Sequence, residues 1–283
     1  MGFEFRLCRI PSEELVKNID ILFVNRGVSG IEIETVLAWR EKYGFKIIVD
    51  NDDHWHLGED HYLYEAYKQI GVSKIIQDWL AAADAVTVTH ERLQAETLMV
   101  NSNCHVLPNA IPQADQFLCK KIPSDLPRLF WAGGITHVKD IELLKRPLQL
   151  IKRDKAKFVM GGYIEGSAEW KHMASIFTVN GGYNTEVITS LPVEEYYYLY
   201  AKCDISLIPL TETKFNSYKS NLKILEAANI GSPVIVSRVH PYLGFPEDLV
   251  NYADMHNPWV KQINRLIDDP ELVKEQGMRL KEY

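Results

Sequence analysis

The sequence predicts an α/β protein built from two doubly wound parallel sheets that face a ligand cleft. Short apolar runs alternate with amphipathic segments along both halves of the chain, the pattern of repeated strand–helix–strand units. That alternation lapses once, where Pro108, Pro112, Pro123 and Pro127 interrupt a polar stretch with little room for regular structure. The third observation is Asn216 to Ser237, where a capped amphipathic helix stops at Gly231 and Pro233 and a buried strand follows at once. These features divide the chain into a first domain over 1–123, a second over 124–257, and a helical segment over 258–283 expected at their junction.

In chain order, Phe3 to Ile10 and Ile19 to Asn25 read as strands, Ile31 to Tyr43 as a helix and Phe45 to Asp50 as a buried strand. A polar stretch from Asp50 to His56 leads to a helix expected near Asp60 or His61. Helices through Ile75 to Ala83 and Glu91 to Met99 flank strand Ala85 to Thr89, and Cys104 to Leu107 is the last strand of this half. The second half opens with strand Arg128 to Ala132, helix Lys139 to Ile151 and strand Lys157 to Met160. Helix Ala168 to Ala174 and strand Ile176 to Asn180 follow, then helix Val193 to Ala201 and strand Ile205 to Leu210. The helix from Asn216, strand Val234 to Ser237 and an amphipathic segment Pro258 to Lys281 complete the chain.

Composition narrows the function. With 46% hydrophobic and 24% charged residues the chain is an ordinary globular protein, and its net charge of −7 argues against clamping a polynucleotide over a broad basic face. No run reaches the roughly 18 apolar residues of a membrane span, and Arg6 occupies the position a myristoylation signal needs for Ser or Thr. Cys8, Cys104, Cys119 and Cys203 lie far apart, without zinc or disulfide spacing. A cytoplasmic protein is the expectation.

On the Asn216 helix, Lys219, Lys223 and Glu226 share one stripe and Leu222, Leu225 and Ala228 another. Free amides, the helix dipole, Lys219 and Ser220 would hold a phosphate there. Glu226 lies about 10 Å further down the axis, the span from an outer phosphate to a ribose. Two more strand-to-helix corners have nucleotide-site composition: Gly133-Gly134 with His137 and Lys139, and Gly161-Gly162-Tyr163. Asp50 to His61 has three readings. Asp52, Asp53 or His54 can orient or deprotonate an attacking hydroxyl; Asp52, Asp53, His54, His56 and His61 can ligate a metal; or the stretch is a polar loop with helix caps. The tyrosines 196, 197, 198 and 200 read as packing, and Lys145-Arg146 and Lys152-Arg153 as solvated faces.

The segments Trp131-Ala132-Gly133-Gly134 with His137 and Asp140, Ala201 to Pro209, and Asn216 to Val234 carry a resemblance. From Arg128 to Ser237 the chain resembles the donor domain of GT-B glycosyltransferases, in particular glycosyltransferase family 4. The resemblance implies two Rossmann-like domains, with Lys219, Ser220 and nearby amides on the donor's diphosphate and Glu226 on its ribose. It also implies a retaining hexosyltransferase that needs no metal or other cofactor and takes a nucleoside-diphosphate sugar, with UDP favoured. Gly133, Gly134, His137, Tyr163, Asn216, Tyr218 and Lys223 complete the expected donor set, and Asp53, His54 and Lys219 the catalytic one. There are two departures: Tyr218 stands where many members have a glutamate, and His137 or Lys139 where many have an arginine. The first half matches in outline only, through Ala83 to Thr89 and Val106 to Pro112, and is short, as a trimmed acceptor domain would be. The acceptor is a glycan or other hydroxyl compound, with hydroxymethylated DNA bases as an alternative. A metal-dependent phosphoesterase and a non-catalytic nucleotide-sugar-binding module are the competing classes.

Overall fold

A computed structural model of the chain describes residues 2, 4–111, 119–151, 153–178 and 184–283. Phe3, Pro112, Lys152 and Asn180, each part of a reading above, lie outside the described residues, as does the side chain of Arg153. The chain packs as two compact units, one of Met1–Asn109 with Tyr218–Ser220, the other of Ala110–Ser217 with Asn221–Tyr283. Among the described residues no helix is long and apolar enough to cross a membrane.

In the first unit a parallel sheet runs in the order β1 (Ile21–Asn25), β2 (Lys46–Asn51), β3 (Ala85–Val88), β4 (Cys104–Val106). A short helix α1 (Glu13–Val16) precedes it, and the crossovers are α2 (Ile33–Tyr43), α3 (Tyr64–Ile70) with α4 (Val72–Ala82), and α5 (Glu91–Thr97). Parallel crossovers are right-handed, so an order that never reverses sends every crossover helix to one face. On that face Val36, Ile76, Trp79, Leu80 and Leu93 cluster with Leu22, Val24, Ile47, Val49, Val86 and Val88. On the other, Ile21 and Phe23 stay 49% and 61% exposed. This half is Rossmann-like, with its crossover helices on one face of the sheet.

Two expectations change here. Described residues 4–10 form no strand, because alternation supplies a face but no ladder partner, and β1 pairs with β2 at the end of its sheet. The helix expected from Asp60 or His61 begins at Tyr64. A turn closes first: the His61 N–H donates to the Gly58 carbonyl, and His61 Nδ1 accepts the Leu63 N–H at 3.1 Å.

The second unit holds a parallel sheet of order β10-β9-β8-β5-β6-β7. Its strands are β5 (Arg128–Ala132), β6 (Lys157–Tyr163), β7 (Thr185–Thr189), β8 (Ile205–Ile208), β9 (Val234–Ser237) and β10 (Asn251–Ala253). From β5 the order grows one way to β7 and, after a return to β8, the other way to β10. Crossovers therefore fall on both faces, and two apolar clusters flank the sheet, one around Trp131, Trp170 and Trp259, the other around Phe130, Tyr200 and Ile224. The helices are α6 (Val138–Glu142), α7 (Lys145–Leu150), α8 (Ala168–Phe177), α9 (Leu222–Asn229), α10 (His256–Asp268) and α11 (Pro270–Glu282).

Several boundaries differ from the sequence reading for local reasons. The helix expected over Lys139 to Ile151 breaks in two, since the ring of Pro147 excludes the carbonyl four residues before it. Leu143 and Leu144 accordingly bond back three residues, to Asp140 and Ile141. Ile176 lies in a helix, not a strand: Ser167 caps α8 by accepting the Trp170 N–H, and Trp170, Met173, Ile176 and Phe177 form one buried stripe. The strand that follows is β7. Gly161 and Gly162 lie inside β6, where the register shifts, and the segment Val193–Lys202 is a 3-10 rather than an α-helix.

The C-terminal helices belong to the second unit, α10 on β10 and α7, and α11 on α9. The contact with α9's end is backbone on backbone at Gly277, where an added Cβ would lie 2.2 Å from the Gly231 carbonyl oxygen and 3.1 Å from Pro233 Cδ. Helix propensity alone would make Gly277→Ala stabilising by about 1 kcal/mol. The clash reverses the sign, and a loss of about 1–3 kcal/mol is expected, read as a lower denaturant midpoint by circular dichroism. An unchanged or raised midpoint would contradict this packing.

Candidate active site

The second sheet reverses between β5 and β8, and the residues that follow those two strands are joined through one carboxylate. Asp140, in α6 just beyond β5, is 4% exposed. Its Oδ2 lies 2.7 Å from His137 Nδ1. Its Oδ1 accepts the Thr211 N–H at 2.8 Å, the Thr211 hydroxyl at 2.7 Å and the Asn216 amide at 3.3 Å. Burial pushes the Asp140 carboxyl up, yet His137 and the Thr211 donors outweigh it and hold the group below the usual carboxylate value. Asn216 also donates to the Thr211 carbonyl at 2.9 Å. His137, Asp140, Thr211 and Asn216 thus form one cluster at the switch point, where doubly wound sheets bind ligands.

The two glycine corners meet beside it. Gly162, at φ +98°, leaves room for the Gly133 carbonyl, which a Cβ would approach to 2.6 Å. Lys223, in the first turn of α9, donates to the Ala132 carbonyl at 2.5 Å and lies 6.0 Å over the Trp131 ring. It therefore reaches the strand end from which the Gly133-Gly134 corner departs. Tyr163 closes β6 with its ring edge-on to Trp170 at 6.0 Å. Glu226 is buried in the same helix; its Oε2 accepts the Tyr200 hydroxyl at 2.5 Å, with Tyr196 at 3.5 Å. Burial raises its carboxyl above the ordinary value against the opposing effect of Lys223 and the tyrosines.

The remaining candidates gather in the first unit. The expected helix from Asn216 starts only at Leu222: Asn216–Tyr218 is a 3-10 turn, and the Asn221 side chain makes no capping bond. Asn216 does not cap because its carboxamide is engaged by Asp140 and Thr211. Lys219 and Ser220 consequently lie before the helix, not in its first turn. Tyr218 is buried in the first unit's core, 4.5 Å from the His54 ring and with Arg92 4.9 Å over its own. Its hydroxyl donates to Glu96 at 2.6 Å, and its carbonyl lies 2.8 Å from His90 Nε2. The Asn109 amide donates to Ser220 at 2.7 Å.

Lys219 Nζ is 3.9 Å from Asp53 Oδ1. The other oxygen of Asp53 accepts from Arg26 at 2.6 Å, and the same guanidinium holds Asp52 at 2.6 Å. Arg26 stands at φ 59°, a left-handed conformation that a residue with a side chain rarely takes. His54 is buried, stacked on Trp55 at 4.8 Å, and its Nδ1 accepts the His56 N–H at 3.0 Å. Among the described residues no group of three or more His, Cys, Asp or Glu side chains is placed to hold a metal ion. Sequence reasoning missed Arg26, Thr211 and the tyrosines on Glu226. Arg26 had one signal, its place just after a strand.

A family model for group 1 glycosyl transferases matches residues 126–269, which contain the whole switch-point cluster. The chain belongs to that family. No curated protein sequence is significantly similar to it. Solved structures share its fold at low identity. TarM is 15% identical with a TM-score of 0.66, the likeness covering 93% of this chain and 50% of that one. Anabaena Alr3699/HepE, solved in complex with UDP-glucose, is 12% identical with a TM-score of 0.67, covering 95% and 75%. The trehalose-phosphate synthase of Burkholderia xenovorans, solved with glucose-6-phosphate, is 10% identical with a TM-score of 0.58, covering 93% and 70%. This group 1 chain therefore spans half the length of TarM and about three quarters of HepE, and its fold is the GT-B class of two Rossmann-like units.

The raised Glu226 carboxyl makes a testable statement about stability. Between its ordinary value of 4.5 and its higher folded value, the folded chain keeps a proton that the unfolded chain releases. Stability conferred by this proton is complete at low pH and disappears as pH rises through the folded value. Glu226→Gln does not titrate, so thermal melts should show its stability relative to the parent improving from pH 4 to pH 8. A difference that is flat or falls with pH would refute the assignment.

Proposed function

We propose that this chain transfers a sugar from a nucleoside-diphosphate sugar, with UDP as the nucleotide, to an acceptor hydroxyl, with retention and without a metal. The observation that carries the proposal is the switch-point cluster of the second unit, set inside the segment that matches the group 1 family. There two glycine corners, His137, Lys223 and Asn216 surround the strand ends. The donor's diphosphate lies at the Gly133-Gly134 corner with His137 and Lys223, its ribose at Glu226, and Tyr163 flanks the sugar.

We assign acceptor handling to the first unit, through Asp53 and His54, with Lys219 as the cation that offsets charge on the departing diphosphate. Tyr218 and Ser220 hold Lys219 in place through Glu96, His90 and Asn109. In the reaction the bond from the anomeric carbon to the diphosphate oxygen breaks and a bond from the acceptor oxygen forms on the same face. The hydroxyl proton passes to Asp53 or to the departing diphosphate. Tight engagement of Asp53 by Arg26 favours an orienting role for that carboxylate.

Thermal-shift titration with UDP-, GDP-, ADP- and CDP-sugars tests donor binding directly, since a ligand at a hundred times its Kd stabilises by about 2.7 kcal/mol. UDP-sugars should raise the melting temperature most; no shift with any of them would remove the proposal. Lys219→Ala should lower turnover of UDP-sugar by about a hundredfold or more while its circular dichroism stays that of the parent. Undiminished turnover in that variant would take Lys219 out of the mechanism.

A further inference from the structure

We propose that Asp140 is a positioning residue for donor binding: it fixes His137 as a protonated, diphosphate-facing cation and ties that cation to the Thr211–Asn216 loop. The inference rests on the donor site proposed above and goes further by giving the site a charge that depends on a buried carboxylate. The placement is specific. His137 follows β5 and Thr211 follows β8, the two neighbouring strands between which the sheet order reverses.

With Asp140 Oδ2 at 2.7 Å from Nδ1, that ring nitrogen carries the hydrogen, because a carboxylate accepts and does not donate. Nε2, on the far side of the ring, is then an acceptor in neutral His137 and a donor only in the imidazolium. A diphosphate oxygen requires the donor form. The paired carboxylate favours that form, as a triad aspartate favours the imidazolium of its histidine, so His137 meets the diphosphate as a donor at Nε2.

The groups facing His137 are consistent with this division of work. Trp131 lies edge-on at 6.5 Å, and a Cβ added at Gly133 would lie 3.3 Å from the ring, so neither residue brings charge. Lys139 is two residues along the chain, and Lys223 bonds the Ala132 carbonyl from α9. Burial, and after it Asp140 and Glu226, push the Tyr242 hydroxyl far above the usual range and keep it neutral. Asp140 therefore places a negative charge directly on the imidazole. Its other oxygen holds Thr211 and Asn216, so one carboxylate sets both the cation and the loop that leads to α9.

The test is UDP affinity by calorimetry from pH 6 to pH 8.5 on the full chain, for the parent, Asp140→Asn and His137→Gln, with the tautomer of His137 read by nitrogen-15 NMR. The parent should bind UDP more weakly as pH rises. Asp140→Asn should bind about tenfold more weakly at pH 7.5, shift the pH dependence to lower pH and change the Nδ1 signal. His137→Gln should bind weakly with no pH dependence of this kind. A parent that does not bind UDP at any pH overturns the donor-site reading itself. A parent that binds UDP, with Asp140→Asn lowering affinity equally at every pH and leaving the tautomer as it was, overturns the positioning role and leaves only a structural clamp.

Discussion

The buried carboxylate of Asp140 is the constraint on which the second unit's site depends. An ionised carboxylate so deep in the protein is tolerable only when its oxygens are filled by donors, and here those donors come from two places far apart in sequence. His137 lies in the β5 corner and Thr211 beyond β8. Because the sheet reverses between those strands, the loops after them diverge to opposite faces beyond the last ladder pair, Phe130 with Ser206. The carboxylate connects them. It explains why α6 is so short: its residues are set by the cluster at one end and interrupted by Pro147 beyond the other.

The two units illustrate how strand order decides where chemistry can go. A reversal opens a crevice at the strand ends of the second sheet, and the polar residues with buried partners collect there. The first sheet has no reversal, so its helices all pack on one side and its functional candidates cannot be placed by the same rule. They collect around Arg26, where a left-handed residue turns the chain back over Asp52 and Asp53. Arg26 accepts the conformational cost because its guanidinium closes two carboxylates at once, and Asp53 in turn meets Lys219 from a distant part of the chain. This is a site assembled by charge, not by sheet topology.

Much of the architecture was legible because the period of apolar residues changes between strand and helix, and strands β2, β3, β5, β8 and β9 stand out as short runs rich in apolar residues. The donor-side candidates were chosen because glycine corners and a lysine-bearing helix that follow strands together suit a nucleotide, although each is also a common turn or surface helix. What could not be read was partnership. Residues 3–10 alternate as a strand should, yet pairing depends on a neighbour that the pattern does not specify. Thr211 is an ordinary loop threonine until Asp140 is beside it. Tyr196 and Tyr200 look like packing residues, and Tyr200 does pack, but its hydroxyl also meets the one carboxylate that α9 buries.

The displaced start of α9 has a larger consequence than a boundary error. A helix running from Asn216 would put Lys219, Lys223 and Glu226 in one polar row, a single device for gripping a nucleotide. Asn216 is instead drawn to Asp140 and Thr211, and the chain from Tyr218 to Ser220 leaves the helical path to be held by His54, His90, Glu96 and Asn109. The two lysines therefore answer to different units. Lys223 is fixed to the β5 strand end with Glu226 one turn behind it, while Lys219 is fixed to Asp53 among the first unit's charged residues. Tyr218 occupies the place where many relatives of the resembled family carry a glutamate, and its hydroxyl is bonded to Glu96. Glu96 of α5, by accepting that hydroxyl, anchors the segment that carries Lys219.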